Sequence, residues 1–216
     1  MSIKLRKRIN ESSPMSSRID TDMIVSLLKV LYAEEIQAWY QYYIVEKFMT
    51  GTDRTSIAKL FETNADDELN DHADKLLKRI SELGGDISEI SALNSLSSIA
   101  KCGYITPEQP YNTIKLLEDN IIAEECAIKH YIELADITNN IDYTTHCMAV
   151  EILSDEEEHL RDLQDFYVDL TGHEFNSAHI DNVEYSTYNG EYSVHNGETD
   201  YNNSEYVYVL KDIREA

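Results

Sequence analysis

The segment ILSDEEEHLRDL, residues 152–163, carries three consecutive glutamates on a stretch whose apolar residues repeat with the period of a helix. Glu156 lies four residues after Ile152 and three before His159, so it shares the apolar face of that helix. The two following glutamates fall progressively off the face. An unpaired buried carboxylate is costly, so Glu156 needs partners from elsewhere in the chain.

Four long segments show helical periodicity, and Gly, Pro or Asn interrupt the chain between them. They run from about Asp22 to Met49, from about Asp53 to Leu83, from near Pro107 to about Ile137, and from about Tyr143 to Leu170. Helices of about 27 to 31 residues are roughly 40 to 45 Å long and usually pack as a bundle.

The connections between these segments predict the topology. Short loops follow the first and third helices, so the first two helices and the last two are predicted to form antiparallel hairpins. The connection between the second and third helices is much longer and must cross the length of the bundle. Within it, the sequence SEISALNSLSSIA predicts one short helix.

The first and third helices each place a carboxylate on the apolar face. Glu35 lies four residues after Leu31, and Glu124 lies three residues after Ile121. The adjacent Glu34 fits that face less well. The predicted bundle interior therefore contains a carboxylate from each of these two helices.

The second helix contains the segment DDELNDHADKL, residues 66–76, with Glu68 and His72 four residues apart. One inward carboxylate from each of four helices, with a histidine on the second and fourth, is a ligand set for two metal ions. Carboxylate oxygen and imidazole nitrogen suit iron or manganese. The sequence therefore predicts a di-metal site inside the bundle.

Four segments carry a resemblance to a known family: EIQAWYQYY, HADKLLKRISELGG, EECAIKHYIELAD and DEEEHLRDLQDF. They are similar to the ferritin-like superfamily of di-iron carboxylate proteins, and most similar to bacterioferritins and Dps-like mini-ferritins. The resemblance covers about residues 20–171. It implies an all-α, ferritin-like four-helix bundle with a long crossover between helices two and three.

The resemblance also implies the metal ligands, which are Glu35, Glu68, His72, Glu124, Glu156 and His159. It implies a terminal carboxylate at Glu35 and a bridging carboxylate at Glu124. Tyr42 matches the family's tyrosine beside the iron site, which could donate a hydrogen bond or an electron. The alternative is a core aromatic residue with its hydroxyl satisfied.

The chain departs from the family pattern on helix two. The family has Glu-x-x-His, whereas this chain has Leu69 three residues before His72 and Glu68 one residue earlier. A π-bulge would absorb the extra residue and keep Glu68 at the site. The spacing therefore predicts a bulged or displaced second helix, or a weakened site if no bulge forms.

The resemblance implies two Fe ions per subunit, for which Mn or Zn could substitute. It further implies oxidation of Fe²⁺ by O₂ or H₂O₂ and storage of Fe³⁺ in a homo-oligomeric shell, with 12 subunits favoured over 24. Two alternatives remain open: another di-metal oxidoreductase, such as a rubrerythrin-like peroxidase or manganese catalase, and a structural or virion component.

The charge balance favours cations over nucleic acid as partners, because 41 acidic residues face 18 basic ones and the formal net charge is −23. Residues 1–19 form a predicted flexible basic arm, which gives only a weak case for DNA contact. The distribution of apolar residues shows neither a membrane-spanning segment nor a secretory signal. We therefore expect a cytoplasmic protein without membrane contact.

The C-terminal residues 172–216 form an acidic extension rich in Tyr and Asn. Its two Asn-Gly pairs predict β-hairpin turns, and the alternative is a disordered polar tail. The three cysteines, Cys102, Cys126 and Cys147, have no CxxC spacing. Neither a disulfide nor a zinc site is predicted, and packed free thiols without a redox role are expected.

Overall fold

The structure is a computed structural model that describes residues 15–52, 54–102 and 112–176. Within these ranges all regular secondary structure is helical. The helices are α1 (Met15–Phe48), α2 (Arg54–Asp67), α3 (Ala73–Leu83), α4 (Leu93–Ile99), α5 (Thr113–Thr138) and α6 (Tyr143–Thr171), and a π-helical turn, Glu68–His72, joins α2 to α3. No helix in the described ranges is long and apolar enough to cross a membrane.

Four long helical segments form the bundle: α1, the continuous segment from α2 through the π turn to α3, α5, and α6. The packing of α1 on α2 and α3, and of α5 on α6, follows from the short connection within each pair. The long connection from α3 to α5 contains α4, which packs on α1. The predicted four-helix bundle with a long crossover and one short middle helix is confirmed.

The helix ends agree with the predicted stops, whereas one start differs. Gly84 and Gly172 follow α3 and α6 in the left-handed conformation, both with φ of 78°. α1 begins at Met15 rather than near Asp22, because neither Gly nor Pro interrupts the sequence between these residues.

Several predictions concern residues outside the described ranges. α5 begins at Thr113, where the Asn112 side chain accepts a hydrogen bond from the Lys115 amide at 3.2 Å, and the proposed start at Pro107 is not among the described residues. The first 14 residues and the extension from residue 177 onward, which includes both Asn-Gly pairs, are also not among the described residues. The arm and the hairpins remain predictions.

A polar layer divides the interior of the bundle into two apolar clusters. On α1 the first cluster ends at Ala33 and the second begins at Ala38, and Glu34 and Glu35 lie between them. The first cluster includes Leu28, Leu31, Leu76, Ile80 and Ile152, and the second includes Val45, Phe61, Leu117, Ile121 and Leu163. Apolar packing on both sides keeps water from the layer and fixes the positions of its polar side chains.

The prediction of free, reduced cysteines is wrong for two of the three. Cys102, which follows α4, forms a disulfide with Cys126 of α5, and their Cα atoms lie 5.6 Å apart. The crossover brings these residues together although 24 positions separate them in sequence, so local spacing could not reveal the pair. Cys147 is a free and exposed thiol on α6.

Candidate di-metal centre

The polar layer gathers all six residues that the sequence predicted as metal ligands. Each has an exposed fraction of 5% or less, and together they come from all four long segments: Glu35, Glu68, His72, Glu124, Glu156 and His159. The two glutamates that follow Glu156 are exposed, as their positions on the helix predicted. The fold therefore selects one glutamate of the three-glutamate run for the interior.

The π-helical turn explains how Glu68 reaches this layer. It spans Glu68–His72, so the widened turn absorbs the extra residue that separates this chain from the Glu-x-x-His pattern. The Glu68 Oε2 atom lies 2.9 Å from His72 Nδ1. Leu69, which occupies the position three before His72, instead lines an outer groove with Trp39 and Tyr43. The predicted bulge is confirmed.

The ligand atoms form two overlapping groups, each with atoms within 4.8 Å of one another. The first group contains Glu35, Glu68, His72 and Glu156, and the second contains Glu68, Glu124, Glu156 and His159. Each group therefore has one histidine, one carboxylate of its own and the two shared carboxylates. This arrangement offers two adjacent positions for a cation.

The shared carboxylates differ from the expectation. Glu124 belongs to the second group alone, so this geometry favours Glu68 and Glu156 over Glu124 for the bridging role, which stays a prediction. Glu68 and Glu156 lie in both groups because they project between the two histidines. His72 Nδ1 is 3.2 Å from Glu156 Oε1, and His159 Nδ1 is 3.3 Å from Glu68 Oε1.

Several buried polar atoms in the second group lack a hydrogen-bond partner. These atoms are Glu68 Oε1, Glu124 Oε2, Glu156 Oε2 and His159 Nδ1. A buried polar atom without a partner costs about 1 to 3 kcal/mol. Carboxylate oxygens and an imidazole nitrogen that converge without partners fit a divalent cation, which would coordinate all four.

Each histidine faces an aspartate with its second ring nitrogen. His72 Nε2 lies 3.5 Å from Asp155 Oδ2, and His159 Nε2 lies 3.4 Å from Asp67 Oδ2. Each aspartate directly precedes a shared glutamate, and each serves the histidine of the opposite helix. Asp67 accepts a hydrogen bond from His159 Nε2–H, which leaves the lone pair of Nδ1 available to a metal, whereas the Asp155 carboxylate makes only a charge contact with His72.

Two buried tyrosines each donate a hydrogen bond to an unshared carboxylate on the opposite helix of the pair α1 and α5. The Tyr42 hydroxyl donates to Glu124, and the Tyr131 hydroxyl donates to Glu35. Sequence analysis gave Tyr131 no role at the site. The missed signal was its spacing, because Tyr131 follows Glu124 by seven residues, as Tyr42 follows Glu35.

The protonation of the layer reflects burial and mutual charge. Burial raises the pKa of Glu35 and of Glu124 well above the usual range, and the charges of Glu156 and Glu68 raise both further. Burial opposes the charged forms of the histidines and shared glutamates. Hydrogen bonds between them nevertheless raise the pKa of His72 and His159 and lower the pKa of Glu68 and Glu156. A cation entering the layer would therefore displace protons.

Comparisons with known proteins agree with this geometry. The model of the ferritin-like domain family matches residues 25–172. A DNA protection during starvation protein from Pyrococcus furiosus is 32% identical over 145 residues, which cover 65% of this chain and 75% of the relative.

Solved structures add further similarity. The bacterioferritin-related protein of Bacteroides fragilis, described as a dodecameric thioferritin, is 33% identical with a TM-score of 0.67, covering 73% of this chain and 94% of its own. A ferritin-like di-iron carboxylate protein of Bacillus anthracis is 22% identical with a TM-score of 0.58, covering 68% and 97%. The latter supports the fold alone.

Proposed function

Because the chain belongs to the ferritin-like domain family, we propose that its central layer binds two Fe²⁺ ions and oxidises them to Fe³⁺ with O₂ or H₂O₂. The observation that carries this proposal is the pair of overlapping ligand groups, which share Glu68 and Glu156. Two metal ions bridged by common carboxylates lie about 3.5 to 4 Å apart, which suits a reaction that removes one electron from each.

The surrounding residues have separate tasks in this proposal. Glu35 with His72 would hold one Fe²⁺, and Glu124 with His159 would hold the other. The tyrosine hydroxyls fix the orientation of the unshared carboxylates, and Asp67 fixes the His159 ring. Carboxylate ligands stabilise Fe³⁺ over Fe²⁺, so this ligand set favours the oxidised product.

Two Fe²⁺ ions supply two electrons, which with two protons reduce O₂ to H₂O₂ or H₂O₂ to two water molecules. The layer holds displaceable protons on the same side chains that would bind the metals. Metal entry therefore releases protons near the place where oxidant reduction consumes them.

A surface cleft gives cations a route to the layer. It reaches His159 and is lined by acidic side chains, namely Asp67, Asp155, Glu158 and Asp162. Clustered negative charge raises the local concentration of cations and speeds their arrival. The net charge of −23 acts in the same direction over a longer range.

We further propose that the oxidised iron is stored or detoxified inside a cytoplasmic shell of twelve copies. Large exposed aromatic side chains on the outer face of α1, Tyr40, Tyr43 and Phe48, support association between copies. The Bacteroides fragilis protein, 33% identical, is described as dodecameric. A native mass near twelve times the chain mass of 24.8 kDa is expected, and a monomeric mass would contradict the shell.

Fe²⁺ oxidation by matched variants tests the proposed activity. Glu156→Gln keeps the size of the side chain but removes the shared charge, so oxidation is expected to slow at least about tenfold. Glu157→Gln is the control, because that side chain is adjacent in sequence and exposed. Equal initial rates for Glu156→Gln and the parent protein would refute the site.

A further inference from the structure

A second group of metal-ligating side chains lies beside the central layer but shares no residue with it. One ligand atom from each of Cys102, Cys126 and His130 lies within 4.8 Å of the others. In the structure the two sulfur atoms are joined as a disulfide. Its reduction would leave two thiols beside a histidine.

The positions of these side chains suit a tetrahedral cation. Cys126 and His130 are four residues apart on α5 and therefore project from the same face. Cys102 Sγ lies 3.5 Å from His130 Nδ1. A sulfur and a nitrogen bound to one tetrahedral Zn²⁺ are about 3.6 Å apart, given bonds of about 2.3 and 2.05 Å. The observed distance already matches that geometry.

Glu34 offers a carboxylate oxygen as a fourth ligand beside the two sulfur atoms and the imidazole nitrogen. Its side chain is 1% exposed, and Oε2 lies 2.9 Å from His130 Nδ1. Its other oxygen, Oε1, accepts hydrogen bonds from the backbone amides of Lys101 and Cys102, at 2.7 and 3.0 Å. Glu34 is thus fixed on the Cys102 segment through one oxygen, while the other contacts His130, the histidine of the group.

The histidine and the carboxylate also interact as charges. Burial opposes the charged form of His130, but the hydrogen bond and the charge of Glu34 raise its pKa. This contact holds the His130 ring beside the Cys102 sulfur.

We propose that reduction of the Cys102–Cys126 disulfide creates a binding site for one Zn²⁺, with Cys102, Cys126, His130 and Glu34 as ligands. Two molecules of a thiol reductant donate the two electrons and two protons: the S–S bond breaks, two cysteine thiols form, and the reductant becomes its own disulfide. Zn²⁺ then displaces the two thiol protons and forms two Zn–S bonds. Sulfur and nitrogen ligands in tetrahedral geometry favour zinc over iron or manganese.

Closing this site requires a small rearrangement. Two sulfur atoms on one tetrahedral Zn²⁺ are about 3.8 Å apart, so the thiols must separate from their bonded positions. The site is therefore closed to the metal while the disulfide exists and available after its reduction. This inference is independent of iron oxidation, since none of its four ligands is a ligand of the proposed di-metal centre.

Cobalt is the probe, because Co²⁺ bound to thiolates shows a sulfur-to-metal charge-transfer band that carboxylate and imidazole ligands do not produce. The full-length protein is reduced with a phosphine under nitrogen, freed of reductant, and titrated with Co²⁺. In the reduced protein the band is expected to grow until one Co²⁺ per chain is bound to the thiolates, in addition to the ions in the central layer. The oxidised protein is expected to show no band, and Zn²⁺ is expected to remove the band of the reduced protein. The central layer can fill with Co²⁺ without contributing to this signal.

Three variants assign the band. Cys126→Ser is expected to abolish it, and His130→Ala to weaken Co²⁺ binding at this site at least about tenfold. Cys147→Ser is the matched control, because Cys147 is an exposed free thiol outside the group. An unchanged band in Cys126→Ser would overturn the assignment.

The parent protein alone also decides the question if a variant fails to fold. After reduction, a thiol titration must count all three cysteines of the chain as free. A reduced protein with three free thiols and no charge-transfer band on Co²⁺ addition would overturn the proposed site.

Discussion

Replacing a shared carboxylate should weaken both metal positions, whereas replacing an unshared one should weaken only one. Glu68 belongs to both ligand groups, and Glu124 belongs to one. Glutamine at either position keeps the shape of the side chain and removes its charge. The comparison of Glu68→Gln with Glu124→Gln therefore distinguishes a carboxylate that serves both metal positions from one that lies near the metals but serves a single position.

The magnitude follows from the number of groups that each residue serves. Loss of an outer-shell partner already lowers metal affinity about 10- to 100-fold, so loss of a ligand should cost at least tenfold at each position it serves. Tenfold corresponds to about 1.4 kcal/mol. Glu68→Gln should therefore lose at least about 2.8 kcal/mol summed over two positions, and Glu124→Gln at least about 1.4 kcal/mol at one.

Calorimetric titration with Co²⁺ measures this difference without iron oxidation. The protein is kept oxidised, so that the disulfide prevents cobalt binding to the cysteines. The parent should bind two ions. Glu124→Gln should bind one of them with parental affinity, and Glu68→Gln should bind both ions with reduced affinity. Glu157→Gln, an exposed position, should behave as the parent. One undiminished site in Glu68→Gln would refute the shared role of this residue.

Three further predictions concern the residues around the ligands. Tyr131→Phe removes the hydroxyl that donates to buried Glu35 and should lower the free energy of unfolding of the metal-free protein by about 1 to 3 kcal/mol; unchanged stability in chemical denaturation would contradict it. Asp67→Asn should weaken Co²⁺ binding about 10- to 100-fold, because Asp67 contacts Nε2 of His159 and holds that ring, whereas the exposed Ser154→Ala should not. Since the pKa of Glu35 is raised well above its usual range, protons compete with the metal at low pH. Co²⁺ affinity should therefore rise with pH, with proton release measured in buffers of different ionisation enthalpy; a pH-independent affinity would contradict this.

The sequence was sufficient for the bundle and for the acidic and histidine side chains that enter its interior, because both depend on periodicity along single helices. Glu35, Glu124 and Glu156 interrupt apolar faces at helical spacing, and such interruptions are visible without any knowledge of packing. The four-residue spacing of Glu68 and His72 was equally informative. It conflicted with the expected pattern at one place, and the structure resolves the conflict with a π turn at that place.

The features that the sequence did not reveal depend on contacts between helices. Whether a carboxylate lies in one group or two depends on how close the neighbouring helices bring it to both histidines, and the spacing along one helix does not show that Glu124 lies in one group alone. Glu34 fits the apolar face poorly and is nevertheless buried, because the Cys102 segment and His130 cover it from the side. The disulfide likewise joins residues that only the crossover brings together.

The most direct test of the account is the position of iron in crystals of the protein soaked anaerobically with Fe²⁺. Anomalous scattering at the iron edge should show two peaks about 3.5 to 4 Å apart, both between Glu68 and Glu156. One peak should lie beside His72 and Glu35, and the other beside His159 and Glu124. A single peak, or iron bound only at the surface while the central layer stays empty, would contradict the di-metal centre.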